Sequence, residues 1–514
     1  EDKAMYEALG LLSGGVRVYL LDSTDPGKLQ AILGELTRRG DSLPRALRKM
    51  LVVAMAMGMT SYEPVLNLEK LALLYEKNQV PSKTNFLYMT LPGSLLDRFA
   101  GPRGYRRVEL QLDDDNTTAG RHSGPLTRGS LYPLALNGID PGAWMAAACL
   151  DDQQVQEALR MAAFLHGNGV DGRDKVTLLL PAPWAGAGIW TKQDFEESLG
   201  KSEELGIKIF PWGSSHCSLR RPVRHPEQDR MYWAVNVGEA PADPALVKDL
   251  RQLGYPLAVL SLHGSMSLAR YMQWVHYVVF GMGCLRRMNF VTQPGVELYK
   301  QIAAGLDERA GKVGRIEKTR EWRQLGRSRF RAAAPGRITM YYDSLVTAGV
   351  LASEDLGPPR QGAAEILARA LRRLRELRKI EYAELTFYGD TRYRAGGREL
   401  RRVLDQAADA TFAAGLGIST DVYEGPAMNH SYHEMIIGHG RCFSMVLLAR
   451  RQVTLRSLDY GPGYHQAQWL ATKLALERRG RAVVALTLPD VTADSRAALA
   501  AFFRQVGERL TVLR

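Results

Sequence analysis

Between Val16 and Leu110 the chain repeats one pattern, a short apolar run followed by an amphipathic stretch of helical period. The runs are VRVYLLDSTDP, MLVVAMAMG and NFLYMTLPG, and the helical stretches cover Pro26 to Arg39, Tyr62 to Asn78 and Ser94 to Ala100. A strand followed each time by a helix predicts a parallel sheet with helices on its faces. The pattern returns from about Asp151 to Asp307, with strands at KVTLLLPA, KIFPW, MYWAVNVG and PLAVLSL and a closing helix over Ser267 to Cys284. A third α/β unit begins with an amphipathic helix, Ala363 to Ile380, carrying Ile366, Leu367, Leu371, Leu374 and Leu377 on one face. It continues through YAELTFYG, a helix over Arg398 to Ala414, strands near Gly417 to Val422 and Cys442 to Ala449, a helix over Gln466 to Arg478, AVVALTL and a helix over Ala493 to Val506. Residues 308–360 are rich in Gly, Arg and Pro and read as a basic linker or arm, which divides the chain into units over 1–150, 151–307 and 361–514.

A length of 514 residues agrees with three such units, at roughly 150 residues per domain. Hydrophobic residues at 46% and charged residues at 24% exclude a disordered or collagen-like chain. No apolar run reaches the roughly 18 residues that argue for a membrane span, so a soluble protein is expected. The four cysteines, Cys149, Cys217, Cys284 and Cys442, form no CxxC pair, which fits a reducing cytoplasm and no clustered metal site. Lys and Arg outnumber Asp and Glu by 67 to 55, with the excess concentrated at Arg309 to Arg337 and Arg369 to Lys379. These runs read as a solvated linker and the polar face of one helix, because no zinc finger, RNA-recognition motif or aromatic stacking pattern accompanies them.

Five segments, in order, resemble the glucose-6-phosphate isomerase family. Leu21-Asp22-Ser23-Thr24-Asp25-Pro26 is similar to the family's DSTDP, and Ala119-Gly120-Arg121-His122-Ser123 to its GGR[FY]S. Leu134 to Asp140 is similar to ALAGID, Glu197-Ser198-Leu199-Gly200-Lys201 to ESxGK, and Asn289 to Lys300 to N-x-F-D-Q-x-G-V-E-x-x-K. The layout beyond Lys300 resembles the isomerase half of bifunctional transaldolase/glucose-6-phosphate isomerase fusions, with Asn429 to Gly440 at their LHSTGQLHKGG. The resemblance implies two sugar-isomerase-type three-layer parallel-sheet domains followed by a C-terminal α/β unit. It also implies a phosphorylated sugar as ligand and a homodimer or a partner subunit; no cofactor is expected, and the charge pattern and run lengths above give no expectation of nucleic acid or a membrane.

Aldose–ketose isomerisation needs a phosphate cradle, a group that opens the sugar ring, a base that carries a proton between adjacent carbons and a cation for the enediolate. By the resemblance, Lys300 and His430 match the ring-opening pair and Arg121 matches the cation. The cradle SKSGTTxE becomes Met55-Ala56-Met57-Gly58-Met59-Thr60-Ser61-Tyr62-Glu63, which retains Gly58, Thr60 and Ser61 for binding phosphate. Met55, Met57 and Met59 alternate as one face of a strand does and are expected to pack in a core. The family's catalytic glutamate falls at Ser214, whose hydroxyl has too high a pKa to take a carbon-bound proton, so His216 or Glu434 would have to substitute. His430, His433 and His439 lack a matching carboxylate motif, and no metal is expected. Two readings follow: an isomerase interconverting glucose 6-phosphate and fructose 6-phosphate, impaired or with a relocated base, and a catalytically degenerate homologue serving as a structural, regulatory or sugar-phosphate-sensing subunit. A third reading is polyanion binding through Arg309 to Arg337.

Overall fold

The computed structural model describes residues 2–13, 16–38, 40–110, 124–201, 205–217, 229–292, 294–352, 362–428, 433–436 and 439–512. The described residues form three sheets. In the first, β1 (Val52–Ala56), β2 (Phe86–Thr90) and β3 (Arg106–Glu109) pair in parallel in chain order. Its Pro26–Thr37 helix starts where the sequence demands, with Pro26 at the first helical position and the Asp25 carboxylate accepting the Gly27 amide at 2.8 Å.

The second sheet holds β4 (Lys175–Leu179), β5 (Lys208–Pro211), β6 (Arg230–Val237) and β7 (Leu257–Leu262), all parallel, in the order β5-β4-β6-β7. The Asp152–Val170, Ala185–Leu199 and Ser267–Leu285 helices bury Trp144, Trp233 and Tyr271 against it. The third sheet collects β8 (Arg331–Ala334), β9 (Ile338–Tyr341), β10 (Tyr382–Tyr388), β11 (Ser419–Gly425), β12 (Cys442–Ala449) and β13 (Ala482–Leu488) in the order β11-β10-β12-β13-β9-β8. β10 to β13 are parallel, whereas β9 and β8 run antiparallel.

Two expectations are corrected. Residues 16–22 form no strand, because Leu20 gives its amide to the Tyr393 hydroxyl at 2.8 Å instead of to a ladder partner. The Gly/Arg/Pro-rich stretch is largely built structure: it holds the end of the Pro294–Val313 helix, the Arg320–Arg327 helix, and β8 and β9, which extend the third sheet. Composition registered its surface charge, while Trp322, Leu325, Ile338 and Met340 supply its anchoring. The Pro294–Val313 helix packs on the third sheet's layer through Val296, Tyr299, Ile302 and Leu306, in one cluster with Trp469 and Leu470. Among the described residues no helix is long and apolar enough to cross a membrane.

Candidate functional site

Three of the motif segments meet. The Lys201 ammonium donates to the Asn289 carbonyl at 3.1 Å, joining ESLGK to the segment before the Pro294–Val313 helix. The Asn289 side chain accepts the Val291 and Thr292 amides at 3.0 and 3.3 Å and turns the chain toward that helix. At the helix's start, Glu434 Oε1 accepts the Gly295 and Val296 amides at 2.7 and 3.0 Å, so a carboxylate from the distant His433–Ile436 turn caps it. Gly200 lies against the same turn, since a Cβ there would fall 2.6 Å from Met435 Cα. His433 stacks on Tyr299 with ring centroids 4.9 Å apart.

Glu434 is fully buried, and its second oxygen, Oε2, has no hydrogen-bond partner among the described residues. Burial pushes its carboxyl above the usual range, outweighing the Val296 and Gly295 amides and the Lys201 charge that pull it down. Lys300 lies one turn along the helix, half-buried, its ammonium 2.9 Å from Glu297. Seven residues further on, and hence on the same helix face, the charge of Asp307 acts on the Tyr62 and Tyr464 hydroxyls. Arg121 and His430 lie outside the described residues.

The loop at the end of β1 contains no lysine or arginine between Met55 and Glu63. Met55 and Met57 pack against Met89, Val108 and Leu110, as their alternation predicts, whereas Met59 is half-buried outside that cluster. Gly58 leaves room for Ser61, whose Oγ would lie 2.8 Å from a Cβ at Gly58, and Thr60 is exposed beside them. The neighbouring Glu63 carboxylate accepts Gln468 Nε2 at 2.9 Å, and the Tyr62 and Tyr464 rings meet edge to face at 5.1 Å.

Ser214 sits in a turn closed by its amide and that of Ser215 on the Pro211 carbonyl, at 3.1 and 2.8 Å. His216 exchanges backbone hydrogen bonds with Thr420, and its ring lies between Asp405, at 3.1 Å, and Asp409, at 2.9 Å. Burial alone would lower the imidazole pKa, but the two carboxylates outweigh it and hold the ring toward its protonated form.

Beyond these positions, the structure reveals a buried belt of charge that sequence reasoning missed. Lys175, Lys208 and Arg230, the first residues of β4, β5 and β6, reach the amino ends of β10 and β11. Lys175 lies 2.6 Å from Glu381, Lys208 bonds Glu384, and Arg230 donates to Ser419 at 2.7 Å. The available signal was a cation opening each of three otherwise apolar strands. Lys192 joins Lys208 against Glu196, Glu384 and Asp421, two cations facing three acids, and burial with Glu196 repulsion pushes Glu384 up to about 7 despite Lys208. Asp174, Glu381 and His439 bring ligand atoms within 4.8 Å of one another. Their charge is met within the chain, by Lys175 at 2.8 Å from Asp174 and by Arg441 at 2.5 Å from Glu381.

These features define an α/β protein of parallel-sheet units in which three motif segments gather at the start of one long helix. Its sequence shows family-level similarity to glucose-6-phosphate isomerase. Two curated glucose-6-phosphate isomerases, from Synechococcus sp. strains JA-3-3Ab and JA-2-3B'a(2-13), are 30% and 29% identical to it over 208 residues, 39% of this chain. The chain spans 37% of the length of each. No family model matches. Among solved structures, a hypothetical protein from Thermus thermophilus is similar at 20% identity and a TM-score of 0.48, over 59% of this chain and 80% of that one. A glucose-6-phosphate isomerase from Chlamydia trachomatis is similar at 16% identity and a TM-score of 0.44, over 63% of this chain and 69% of that one.

Proposed function

We propose that the chain is a phosphosugar aldose–ketose isomerase of the glucose-6-phosphate isomerase kind, acting on glucose 6-phosphate and fructose 6-phosphate. The observation that carries this reading is the convergence of Lys201, Asn289, Gly295 and Glu434, drawn from three motif segments far apart in sequence. In this scheme Lys300 and His430 open the ring and Arg121 stabilises the enediolate. Gly58, Thr60 and Ser61 receive the phosphate. Glu434 takes the proton from C2 of the open aldose and returns it to C1, which forms the ketose without net loss or gain of protons. Its free Oε2 and raised pKa suit a general base, whereas His216 is already held toward its protonated form by two carboxylates.

The test is a coupled assay of fructose 6-phosphate conversion by the purified chain and by Lys300→Ala, Arg121→Ala and Glu434→Gln. Gln preserves an oxygen for the Gly295 and Val296 amides, so Glu434→Gln is expected to lower kcat by about 10²-fold or more with little change in KM. Equal turnover in all four proteins would remove the assignment.

A second reading, a degenerate scaffold that binds sugar phosphate without turning it over, is favoured by the β1 loop. There Met55 and Met57 pack in a hydrophobic cluster, and carboxylates act close by, that of Glu63 within the loop's end and those of Asp307 and Glu69 on Tyr62. Calorimetric binding of fructose 6-phosphate with no turnover would support it.

A further inference from the structure

The arginines between Arg320 and Arg331 form a continuous exposed stripe that the proposed reaction does not use. Arg320, Arg323 and Arg327 stand at helical spacing on the outer face of the Arg320–Arg327 helix, exposed and without an ion pair among the described residues. Together they span about 10 Å along the axis. The opposite face anchors the helix, with Leu325 buried and the Trp322 ring 5.6 Å from that of Trp469. Arg331 extends the stripe onto β8, its guanidinium donating to the Gly326 carbonyl at the helix's end. Between them the exposed Arg329 guanidinium lies 4.7 Å from the centre of the Phe330 ring.

Among the described residues β8 is the outermost strand of the third sheet, hydrogen-bonded to β9 on one side only. No described strand pairs with its other edge, which carries Ala332, Ala333 and Ala334, side chains too small to obstruct an added strand. Charge and open edge therefore occur together. We propose that this surface binds an extended acidic segment of a partner protein, which adds a strand to the free edge of β8 and sets its carboxylates against Arg323, Arg327, Arg329 and Arg331. Two features favour a peptide over nucleic acid. An open strand edge is matched by a backbone carrying N–H and C=O groups, and the aromatic side chains beside the stripe are engaged, Trp322 with Trp469 and Phe330 under Arg329.

The probe is a fluorescein-labelled peptide of about twelve alternating Glu and Thr residues, followed by anisotropy on the full chain. Binding is expected at about 50 mM salt and should weaken by about tenfold or more at about 300 mM. The Arg320→Ser, Arg323→Ser, Arg327→Ser triple variant should weaken it by about tenfold. A peptide of the same charge, N-methylated at alternate residues, should lose binding to a similar degree because it cannot complete the strand ladder. That control needs no altered protein and therefore does not depend on how the variant folds. Equal binding of the N-methylated peptide would overturn strand addition. Tighter binding of a duplex DNA of matched length would make this a nucleic-acid surface instead. Absence of peptide binding, with self-association of the triple variant on sedimentation, would reduce the arginines to shields of an exposed edge.

Discussion

Gly200 shows how a single residue holds the candidate site together. Its backbone approaches Met435 so closely that a methyl group would overlap Met435 Cα and its amide nitrogen, at 2.6 and 2.8 Å. Gly200→Ala must separate ESLGK from the turn carrying Glu434, at a cost of about 1–3 kcal/mol. Thermal melts should show that loss, and turnover should fall further than stability does. His216 poses a different question, because its two carboxylates raise its pKa above 6.5 in the folded chain. A raised histidine contributes stability that is complete below its unfolded value and fades as pH rises through its folded one. His216→Asn should therefore cost about 1 kcal/mol at pH 6 and almost nothing at pH 9, as read by urea unfolding. An equal cost at both values would mean that packing, not charge, ties His216 to Asp405 and Asp409. The motif letters pointed to Glu434 without revealing that it caps a helix, since the amides it accepts lie at residues 295 and 296.

At the scale of elements, the second and third sheets meet through the amino ends of their strands, a join made mainly of charge. Lys208 has a fully buried ammonium that faces Glu196, Glu384 and Asp421 together. Three acids against Lys192 and Lys208 leave one negative charge in excess, and the cluster accommodates it by holding the Glu384 proton up to about 7, against 4.5 for a free glutamate. The folded chain thus binds this proton more tightly than the unfolded chain, so Glu384 favours folding below pH 4.5 and that contribution is lost as pH climbs from 4.5 toward 7. Glu384→Gln keeps an oxygen for Lys208 and carries no ionisable proton. Its urea midpoint should exceed that of the parent at pH 8, with a smaller difference at pH 5. A larger advantage at pH 5 would refute the excess-charge account. The strands themselves were legible, because apolar runs of strand length between helical stretches leave few alternatives. The pairing of their first residues across two sheets was not, since nothing local in KVTLLL or KIFP says what the lysine will meet.

At the scale of the whole molecule, the N-terminal segment is bound to the carboxyl end of the third sheet. The fully buried Lys28 ammonium lies 2.5 Å from Asp22 and bonds Glu424 at the end of β11. Asp25 accepts the Asp390 amide at 2.8 Å, and Thr24 donates to Gln468 at 2.8 Å. Glu424→Gln should loosen this attachment, raising amide exchange at residues 20–29 by about tenfold, equivalent to about 1.4 kcal/mol, while β6 and β12 stay protected. Unchanged exchange would mean that the other bonds, those of Leu20, Thr24 and Asp25 among them, hold the segment without Glu424. An α/β fold with several parallel-sheet regions, most strand positions and the likeness to glucose-6-phosphate isomerase were readable from the chain alone, because period, punctuation and motif order are properties of neighbours along it. Folding in three dimensions settled that residues 16–22 bond a loop that follows β10 rather than a ladder, and that part of the arginine-rich stretch becomes two strands of the third sheet. It alone decided, too, that among the described residues Glu434 keeps one carboxylate oxygen without a partner, while both ring nitrogens of His216 are met by Asp405 and Asp409. Those outcomes depend on which buried donor finds which acceptor, and desolvation imposes that choice only once distant segments have closed on one another.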